Sequence, residues 1–394
     1  MNQHLTEINI SREELERYSR HLIIPEFGLE GQKKIKAARV LVIGAGGLGS
    51  PLLLYLTAAG VGTIGIVDFD VVEMSNLQRQ VLFTTTDVGR PKVEAAKERL
   101  SGLNPFVQFE IFNQKLESNN ALDIISRFDL VADGSDNFPT RYLVNDATVL
   151  AGKVNVFASI YRFEGQASVF NYEFPDGSRG PNYRDLFPTP PLPGLIPSCA
   201  EGGVIGVLPG IIGSIQANEV IKVITGIGEP LAGRLFQFDA AEFKTNIFKL
   251  TKDPENPLSG NNPTQKDLID YEFFCNVNNH TSNANGHDIV KEITVANLQE
   301  WIQTGKDFQL IDVREPYEYD IANLGGILIP KNKILDHLNE FNSETDIVIH
   351  CRSGKRSHDV IEQLNKHTRL KNLYNLKGGI LAWANEIDPT MPKY

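Results

Sequence analysis

Residues 38–70 read "ARVLVIGAGGLGSPLLLYLTAAGVGTIGIVDFD", and this stretch decides the fold of the first part of the chain. An apolar run leads into a cluster of glycines, then a long apolar segment that stops at a glycine, then another apolar run that ends in acidic residues. This order predicts a strand, a tight turn, a helix and a second strand. Strands joined through a helix run parallel, so we predict a βαβ unit.

The same alternation continues further along the chain. A segment with helical character over 90–103 is followed by the apolar runs "FDLVADGSD", residues 128–136, and "KVNVFASI", residues 153–160. Strands that alternate with helices form a sheet covered by helices on both faces. We therefore predict an α/β fold with a doubly wound, mostly parallel sheet of the Rossmann-like type.

A change of composition marks the end of this first domain. The chain becomes rich in Asn, Pro, Ser and Gly around a short apolar island, "YEFFC". Beyond it, "FQLIDV", "DIVIHC" and "KNLYNL" predict short strands separated by helices, which is enough for a small α/β domain. We predict a first domain over 1–252, a linker over 253–286 and a second domain over 287–394.

The composition excludes several classes of partner. With 41% hydrophobic and 22% charged residues the chain resembles an ordinary globular protein, and its formal net charge of -11 disfavours binding to nucleic acid or to acidic membranes. Its N-terminus lacks the apolar core of a secretory signal, and no later stretch has the pattern of a membrane span. We expect a cytoplasmic protein without nucleic-acid or membrane partners.

The glycine cluster "GAGGLG", residues 44–49, lies between a predicted strand and a predicted helix. Such a turn lets backbone amides face an anion at the helix N-terminus. About 20 residues further on, Asp68 ends the next strand, where a dinucleotide-binding protein holds a ribose hydroxyl. These two features alone would suit an NAD-dependent oxidoreductase.

The residues that follow Asp68 favour ATP and a metal ion instead. Asn76 and Arg79 come soon after this strand, Lys92 lies in the next predicted helix, and Asp136 follows a later strand. Two separated cations suit a triphosphate, and an aspartate at a strand end suits Mg²⁺. Because all of them follow successive strands, they should meet at the carboxyl edge of the sheet, where ligands bind.

Five longer stretches carry a family resemblance. They are "RYSRHLIIPEFGLEGQKKIKAARVLVIGAGGLGS", "VDFDVVEMSNLQRQ", "GRPKVEAA", "DGSDNFPTRYLVND" and "SCAEGGVIGVLPGIIGSIQANEVIK". Together they resemble the MoeB/ThiF family of ubiquitin-activating-type adenylyltransferases. The resemblance implies ATP-dependent adenylation of the C-terminal glycine of a small ubiquitin-like sulfur carrier protein that ends in Gly-Gly.

The resemblance also implies roles for individual residues. Arg20 would reach the ATP of a partner protomer, which implies a homodimer, and Asp136 would hold Mg²⁺. Cys199 would take part in acyl or sulfur transfer, although a buried packing role remains an alternative for it. The implied nucleotide-binding residues are Gly46, Gly47, Asp68, Asp70, Ser75, Asn76, Arg79, Lys92, Asp136 and Asn137.

Members of this family usually hold a structural zinc ion between two Cys-x-x-Cys pairs, and this chain lacks both pairs. Asn182, Asp185, Asn256 and Ser259 stand at the four cysteine positions. Neutral and oxygen groups of this kind make a poor tetrahedral zinc site. We therefore predict no zinc, and we expect the two segments to be held by packing and hydrogen bonds or to be mobile.

Cys351 lies between the strand pattern "DIVIH" and a helical pattern. Loop amides at a helix N-terminus, with Arg352, Lys355 and Arg356 nearby, would lower the pKa of this thiol and favour the thiolate. A phosphatase of the Cys-x₅-Arg type needs an arginine six positions after its cysteine, where this chain has Ser357. The shorter loop makes a smaller cradle, which suits a sulfane sulfur better than a phosphate.

The segments on either side of the loop complete a second resemblance. With "LIDVREPYEYD" before it and "NLKGGILAW" after it, residues 289–394 resemble a rhodanese domain, although the usual "GHIPGA" turn reads "ANLGGI". This resemblance implies that Cys351 carries a persulfide, loaded from thiosulfate or a cysteine desulfurase. Asp312 and Arg314 would support the loop rather than react.

Together the two resemblances predict an adenylyltransferase with a rhodanese domain that supplies sulfur for a carrier thiocarboxylate. The fusion favours the carrier of molybdopterin synthesis. Carriers for thiamine synthesis or tRNA thiolation, an inactive rhodanese domain, a non-catalytic scaffold and an NAD-dependent oxidoreductase remain alternatives.

Overall fold

The computed structural model describes residues 8–191, 202–276 and 290–393. The chain divides into two compact units, one on each side of the gap at 277–289, and each contains its own sheet. Within the three described ranges, no helix is both long enough and apolar enough to cross a membrane.

One eight-stranded sheet organises the first unit. Its strands are β1 (Arg39–Ile43), β2 (Thr63–Val67), β3 (Gln108–Phe112), β4 (Leu130–Asp133), β5 (Val154–Tyr161), β6 (Glu164–Phe170), β7 (Arg234–Asp239) and β8 (Lys244–Lys249). They lie in the order β3-β2-β1-β4-β5-β6-β7-β8, with parallel pairing from β3 to β5 and antiparallel pairing from β5 to β8. The predicted mostly parallel sheet is confirmed.

Helices cover both faces of this sheet. They are α1 (Arg12–Arg17), α2 (Ser19–Leu22), α3 (Gly28–Ala37), α4 (Gly49–Ala59), α5 (Lys92–Leu103), α6 (Ala121–Ser126), α7 (Phe138–Leu150), α8 (Tyr183–Leu186), α9 (Leu208–Thr225) and α10 (Tyr271–Asn276), with short 3₁₀ helices at Met74–Asn76 and Thr85–Asp87. Val40 and Val42 of β1 belong to the core formed with α4 and α9, whereas Leu41 and Ile43 belong to the core formed with α6 and α7. Alternate strand residues point to opposite faces, so a continuous apolar run becomes a doubly covered strand.

Residues 253–275, which the composition assigns to a linker, fold onto the first unit. The Tyr271 hydroxyl donates to Asp146 Oδ2 at 2.8 Å, and the buried Arg184 guanidinium binds the same carboxylate. Tyr271 and Cys275 lie in the core beside α7. Side-chain hydrogen bonds thus hold this polar, proline-rich segment in place.

The four positions that correspond to zinc-binding cysteines in the family converge in the structure. Asn182 Nδ2 donates to Ser259 Oγ, and Asn256 Nδ2 donates to Asp185 Oδ1, both at 2.7 Å. Asn256 Oδ1 accepts from the amides of Leu258 and Ser259. We call these four side chains the polar clip. Hydrogen bonds across the polar clip join the two segments, which is one of the two arrangements expected from the sequence.

Replacing Asn256 with alanine should destabilise the first unit. Asn256 is only 2% exposed, so its loss leaves buried amides and a carboxylate oxygen with fewer partners, at a cost of about 2 kcal/mol. Urea unfolding followed by circular dichroism would measure this change. The matched control is Asn261→Ala, because Asn261 lies in the same segment and is exposed. The predicted absence of zinc can be tested on the unchanged protein. A chelator should then leave the midpoint of urea unfolding unchanged. One zinc ion per purified chain would contradict the prediction that the chain binds no zinc.

A five-stranded parallel sheet organises the second unit. Its strands are β9 (Lys291–Ile293), β10 (Phe308–Asp312), β11 (Ile327–Leu328), β12 (Asp346–His350) and β13 (Leu373–Leu376), in the order β11-β10-β12-β13-β9. Its helices are α11 (Val295–Thr304), α12 (Pro316–Ile321), α13 (Lys355–His367) and α14 (Gly379–Glu386), with a 3₁₀ segment at Lys331–Glu340. The loop that carries Cys351 joins the central strand β12 to α13.

Candidate active sites

The glycine turn between β1 and α4 lies beside the residues that follow β4, where the strand order of the sheet reverses. Gly44 has a φ of +88°, and its amide donates to the Val67 carbonyl at 2.8 Å. A Cβ atom on Gly49 would lie 2.0 Å from the Gly44 carbonyl oxygen, so only glycine permits this close approach. The turn therefore sets the N-terminus of α4 at the edge of the sheet where anions and nucleotides bind.

Asp68, at the end of β2, is fixed by backbone amides. Its two carboxylate oxygens accept from the amides of Ala45 and Asp70, each at 2.8 Å. Burial raises the pKa of Asp68, and the nearby charge of Lys92 opposes that shift. Lys92 is itself buried and forms an ion pair with Asp70 at 2.8 Å. The glycine turn, both aspartates and this lysine thus form one connected group.

A cavity opens over this group at the carboxyl edge of the sheet. Eight of the ten nucleotide-binding residues implied by the sequence line it: Gly46, Gly47, Asp68, Asp70, Arg79, Lys92, Asp136 and Asn137. The structure therefore brings together residues from four separate stretches of sequence. Arg79 and Lys92 supply positive charge to a cavity that also holds carboxylates, an arrangement suited to a phosphate chain and a cation.

Asp136 has the chemistry of a magnesium ligand. It is exposed in the cavity, and within the part of the chain that the structure describes no ion pair joins it to a cation. Asn137 Nδ2 lies 3.4 Å from Asp136 Oδ1, and its own Oδ1 accepts from the Thr140 amide and so caps α7. Mg²⁺ is commonly held by one or two carboxylates together with substrate phosphates, so the residues present fit this ion.

The remaining predicted residues lie elsewhere. Ser75 and Asn76 are not among the cavity residues: the Ser75 carbonyl accepts from Arg79 Nη1 at 3.1 Å, and Asn76 Oδ1 accepts from the Glu73 amide. They shape the turn that carries Arg79. Arg20 is exposed on α2 and does not line this chain's cavity. Cys199 lies outside the described residues.

The cavity also contains residues that sequence reasoning missed. They are Gln80, Gln114, Lys115, Thr140 and Arg141, among others. Gln80 stands out because its side chain is buried and its Oε1 has no hydrogen-bond partner in the described structure. The position of Gln80 directly after Arg79 was the only local indication that Gln80 lines the cavity. Gln114 and Lys115 follow β3, and no recognisable motif marks them.

The Cys351 loop forms the candidate site of the second unit. Cys351 is fully buried, and its Sγ accepts from the Gly354 amide at 3.2 Å. Gly354 has a φ of +90°, and a Cβ atom there would lie 3.0 Å from the Gly378 amide nitrogen, so this sharp turn favours glycine. The Ile380 amide of α14 donates to the Cys351 carbonyl at 2.9 Å. The loop is therefore held from both sides around the sulfur.

A buried ion pair lies at the end of β10, beside the strand that leads into the loop. Arg314 and Asp312 are both fully buried and joined by several hydrogen bonds, and Arg314 also donates to the Ala322 carbonyl at 2.8 Å. Next to them, His350 is buried with its Nε2 3.7 Å from Asp312 Oδ2, and burial lowers its pKa to about 4. His350 is therefore neutral near pH 7, and support of the loop by Asp312 and Arg314 stays a prediction.

The cations of the loop are not all arranged as the sequence suggests. Lys355 is exposed, but Arg356 directs both terminal nitrogens at the carboxylate of Glu318 on α12, at 2.6 and 2.7 Å. The sequence places Arg356 near the thiol, and the structure adds that the charge of Arg356 is paired with a carboxylate. Glu318 lies 38 positions away in the chain, so no local pattern could have revealed the pair.

Comparison with known proteins gives matches to both units. The model of the ThiF family matches residues 18–259, and that of the rhodanese-like domain matches residues 294–386. The chain is 49% identical over 390 residues to a probable adenylyltransferase/sulfurtransferase MoeZ of Mycobacterium tuberculosis, covering 98% of this chain and 96% of that protein. It is 40% identical over 409 residues to the adenylyltransferase and sulfurtransferase MOCS3 of Bos taurus, covering 98% and 89%.

Two further comparisons concern the first unit. A sulfur carrier protein adenylyltransferase of Thermus thermophilus is 55% identical over 265 residues, covering 67% of this chain and 98% of that protein. A crystal structure of E. coli MccB has the same fold, with a TM-score of 0.56 at 23% identity, over 67% of this chain and 77% of that one. Matches to both units at these identities show that the chain belongs to the ThiF family, in the form in which a rhodanese-like sulfurtransferase domain follows the adenylyltransferase domain.

Proposed function

We propose that the first unit adenylates the C-terminal glycine of a small ubiquitin-like sulfur carrier protein and that the second unit supplies the sulfur. The observation that supports this most strongly is the cavity over the glycine turn, because it gathers Arg79, Lys92 and the exposed Asp136 from separate stretches of the chain. A buried thiol held at a helix N-terminus in the same chain supports the sulfur step. Membership of the ThiF family leaves the oxidoreductase alternative without support.

In the adenylation step, an oxygen of the carrier carboxylate attacks the α-phosphorus of ATP, and pyrophosphate leaves with the electrons of the broken P–O bond. The nucleophile is already ionised, so the protein needs to position charge rather than remove a proton. Arg79 and Lys92 would hold the phosphates, and Asp68 would hold the ribose. Asp136, with Asn137 beside it, would hold Mg²⁺, which neutralises the charge of the phosphates when it is bound.

In the sulfur step, the Cys351 thiolate attacks the outer sulfur of the donor. With thiosulfate the S–S bond breaks, sulfite leaves with its electrons, and Cys351 becomes a persulfide. The terminal sulfur then attacks the carrier's acyl carbon and displaces AMP. A second thiolate attacks the Cys351 sulfur of the resulting acyl disulfide, the S–S bond breaks, and the thiocarboxylate leaves with its electrons. Cys351 is then in a disulfide with this thiol, which an external dithiol would reduce before the next turnover. Cys199 is a candidate for the second thiol. Joining the two units in one chain raises the local concentration of the persulfide near the adenylate.

We further propose a cytoplasmic homodimer in which Arg20 reaches the partner's nucleotide. Thiosulfate or a cysteine desulfurase would load Cys351. The carrier is proposed to belong to molybdopterin synthesis, with thiamine or tRNA-thiolation carriers as alternatives. The division at 1–252, 253–286 and 287–394 stays a prediction.

Carrier-dependent exchange between ATP and labelled pyrophosphate tests the adenylation. We expect exchange with a carrier that ends in Gly-Gly and none with the same carrier shortened by its terminal glycines, because the nucleophile is then displaced. Exchange with none of the candidate carriers would contradict the proposal. Binding of a nicotinamide dinucleotide, together with a failure to bind ATP, would instead support the oxidoreductase alternative.

A further inference from the structure

The pair formed by Arg356 and Glu318 changes the charge of the Cys351 loop. Arg356 Nη1 and Nη2 donate to the two carboxylate oxygens of Glu318 at 2.6 and 2.7 Å. The Arg356 side chain is 23% exposed and that of Glu318 only 6%. A two-bond pair that is largely shielded from water persists much better than an exposed surface pair.

Glu318 is itself held firmly in place. Its Oε2 also accepts from the Glu315 amide at 3.1 Å, and its carbonyl accepts from the buried Arg314 at 3.2 Å. Burial by itself raises the pKa of Glu318, but the hydrogen bonds from Arg356 and the Glu315 amide outweigh it, so the pKa lies below its ordinary value. The carboxylate is therefore ionised when it faces Arg356.

In the sequence, Arg356 lies between Gly354 and Ser357, two loop residues that have polar groups within hydrogen-bond reach of Cys351 Sγ. The Gly354 amide donates to Cys351 Sγ at 3.2 Å, and Ser357 Oγ lies 3.5 Å from it. Because Arg356 belongs to the same short loop as Cys351, we expect a charge change at Arg356 or at Glu318 to alter the electrostatic potential where a sulfur donor approaches. A dianionic donor is the most sensitive to such a change, because the interaction energy scales with its charge.

We propose that Glu318 is a specificity-determining residue of the sulfur site, which weakens the binding of dianionic donors such as thiosulfate by cancelling the charge of Arg356. This inference rests on the proposed sulfurtransferase function. Thiosulfate then depends on the remaining positive groups of the loop, such as the exposed Lys355, rather than on Arg356. The transfer itself is unchanged: the Cys351 thiolate takes the outer sulfur and sulfite leaves.

The test measures KM and kcat for thiosulfate in the full-length protein, with cyanide as sulfur acceptor at low ionic strength. We expect Glu318→Gln to lower KM about tenfold, Arg356→Gln to raise it about tenfold, and the double variant to return within about threefold of the unchanged protein. Changes in kcat should be small. Lys306→Gln is the matched control, because Lys306 pairs with Asp346 at the opposite end of the strands.

Three outcomes would overturn the inference. If Arg356→Gln and the double variant have equally raised KM values, Arg356 binds the donor or positions the loop directly. If Glu318→Gln raises KM, the carboxylate does not oppose the donor. If the Glu318→Gln protein does not fold, Arg356→Lys provides a second test. A lysine keeps the positive charge opposite Glu318, so the KM for thiosulfate should stay at its original value. A KM equal to that of Arg356→Gln would overturn the proposal. Absence of any transfer by the unchanged protein would instead refute the sulfurtransferase function itself.

Discussion

Replacing Cys351 with serine is expected to abolish persulfide formation and carrier thiocarboxylate formation, by about 10³-fold or more, while carrier-dependent ATP–pyrophosphate exchange continues unchanged. A serine hydroxyl stays protonated near neutral pH and cannot accept a sulfane sulfur. The serine Oγ can still accept from the Gly354 amide, which donates to Cys351 Sγ at 3.2 Å, so the loop should keep its shape. Mass spectrometry of the protein after treatment with thiosulfate, and of the carrier after a full reaction, would measure the loss.

Cys275→Ala is the matched control for this experiment. Cys275 is a buried thiol of the first unit, and burial raises its pKa to about 12, so it should carry little thiolate at neutral pH. Its replacement should leave both sulfur transfer and exchange intact. Formation of thiocarboxylate by the Cys351→Ser protein from thiosulfate would show that another group carries the sulfur.

Replacing Asp136 with alanine should reduce carrier-dependent exchange by about 10²- to 10³-fold. Asp68 is tied to two backbone amides and Asp70 to Lys92, whereas Asp136 is exposed in the cavity and available to a cation. Its loss removes the ligand that would place Mg²⁺ against the phosphates. Initial rates of pyrophosphate incorporation into ATP, at a series of Mg²⁺ concentrations, would measure the effect.

Asp123→Ala is a suitable control, since Asp123 is an exposed carboxylate in α6 that does not line the cavity. Persulfide loading of Cys351 from thiosulfate should survive in the Asp136→Ala protein, because it requires no nucleotide. Unchanged exchange in that protein would remove Asp136 from the metal-binding role.

Much of the fold could be predicted from local pattern. The glycine turn between β1 and α4, and the aspartate at the end of β2, depend on residues within about one βαβ unit, and their spacing is dictated by the geometry of that unit. The same holds for the thiol loop between β12 and α13, where a buried strand, a glycine with positive φ and a helix start follow one another. Such features are visible because neighbouring residues alone decide them.

The anchoring of residues 253–275 shows where local pattern is insufficient. Residues 253–275 have the composition of a connecting segment, yet they are anchored by Tyr271 to Asp146, 125 positions earlier. Gln80 and Arg141 likewise reach the cavity only because distant strands end at the same edge of the sheet. Composition reports the average polarity of a segment, and it carries no information about which distant group will satisfy a particular polar atom.

The amino-acid pattern was thus sufficient for the two α/β units, for the glycine turn at the carboxyl edge of the first sheet and for the loop that carries Cys351 in the second. Folding in three dimensions was required for the polar clip, where Asn182 meets Ser259 across 77 positions, and for the ion pair that places Glu318 against Arg356. The physical reason is the range of the interactions. Strand and helix periodicity and glycine turns are set by adjacent residues, whereas a buried polar group is stable only when its partner arrives from elsewhere in the chain.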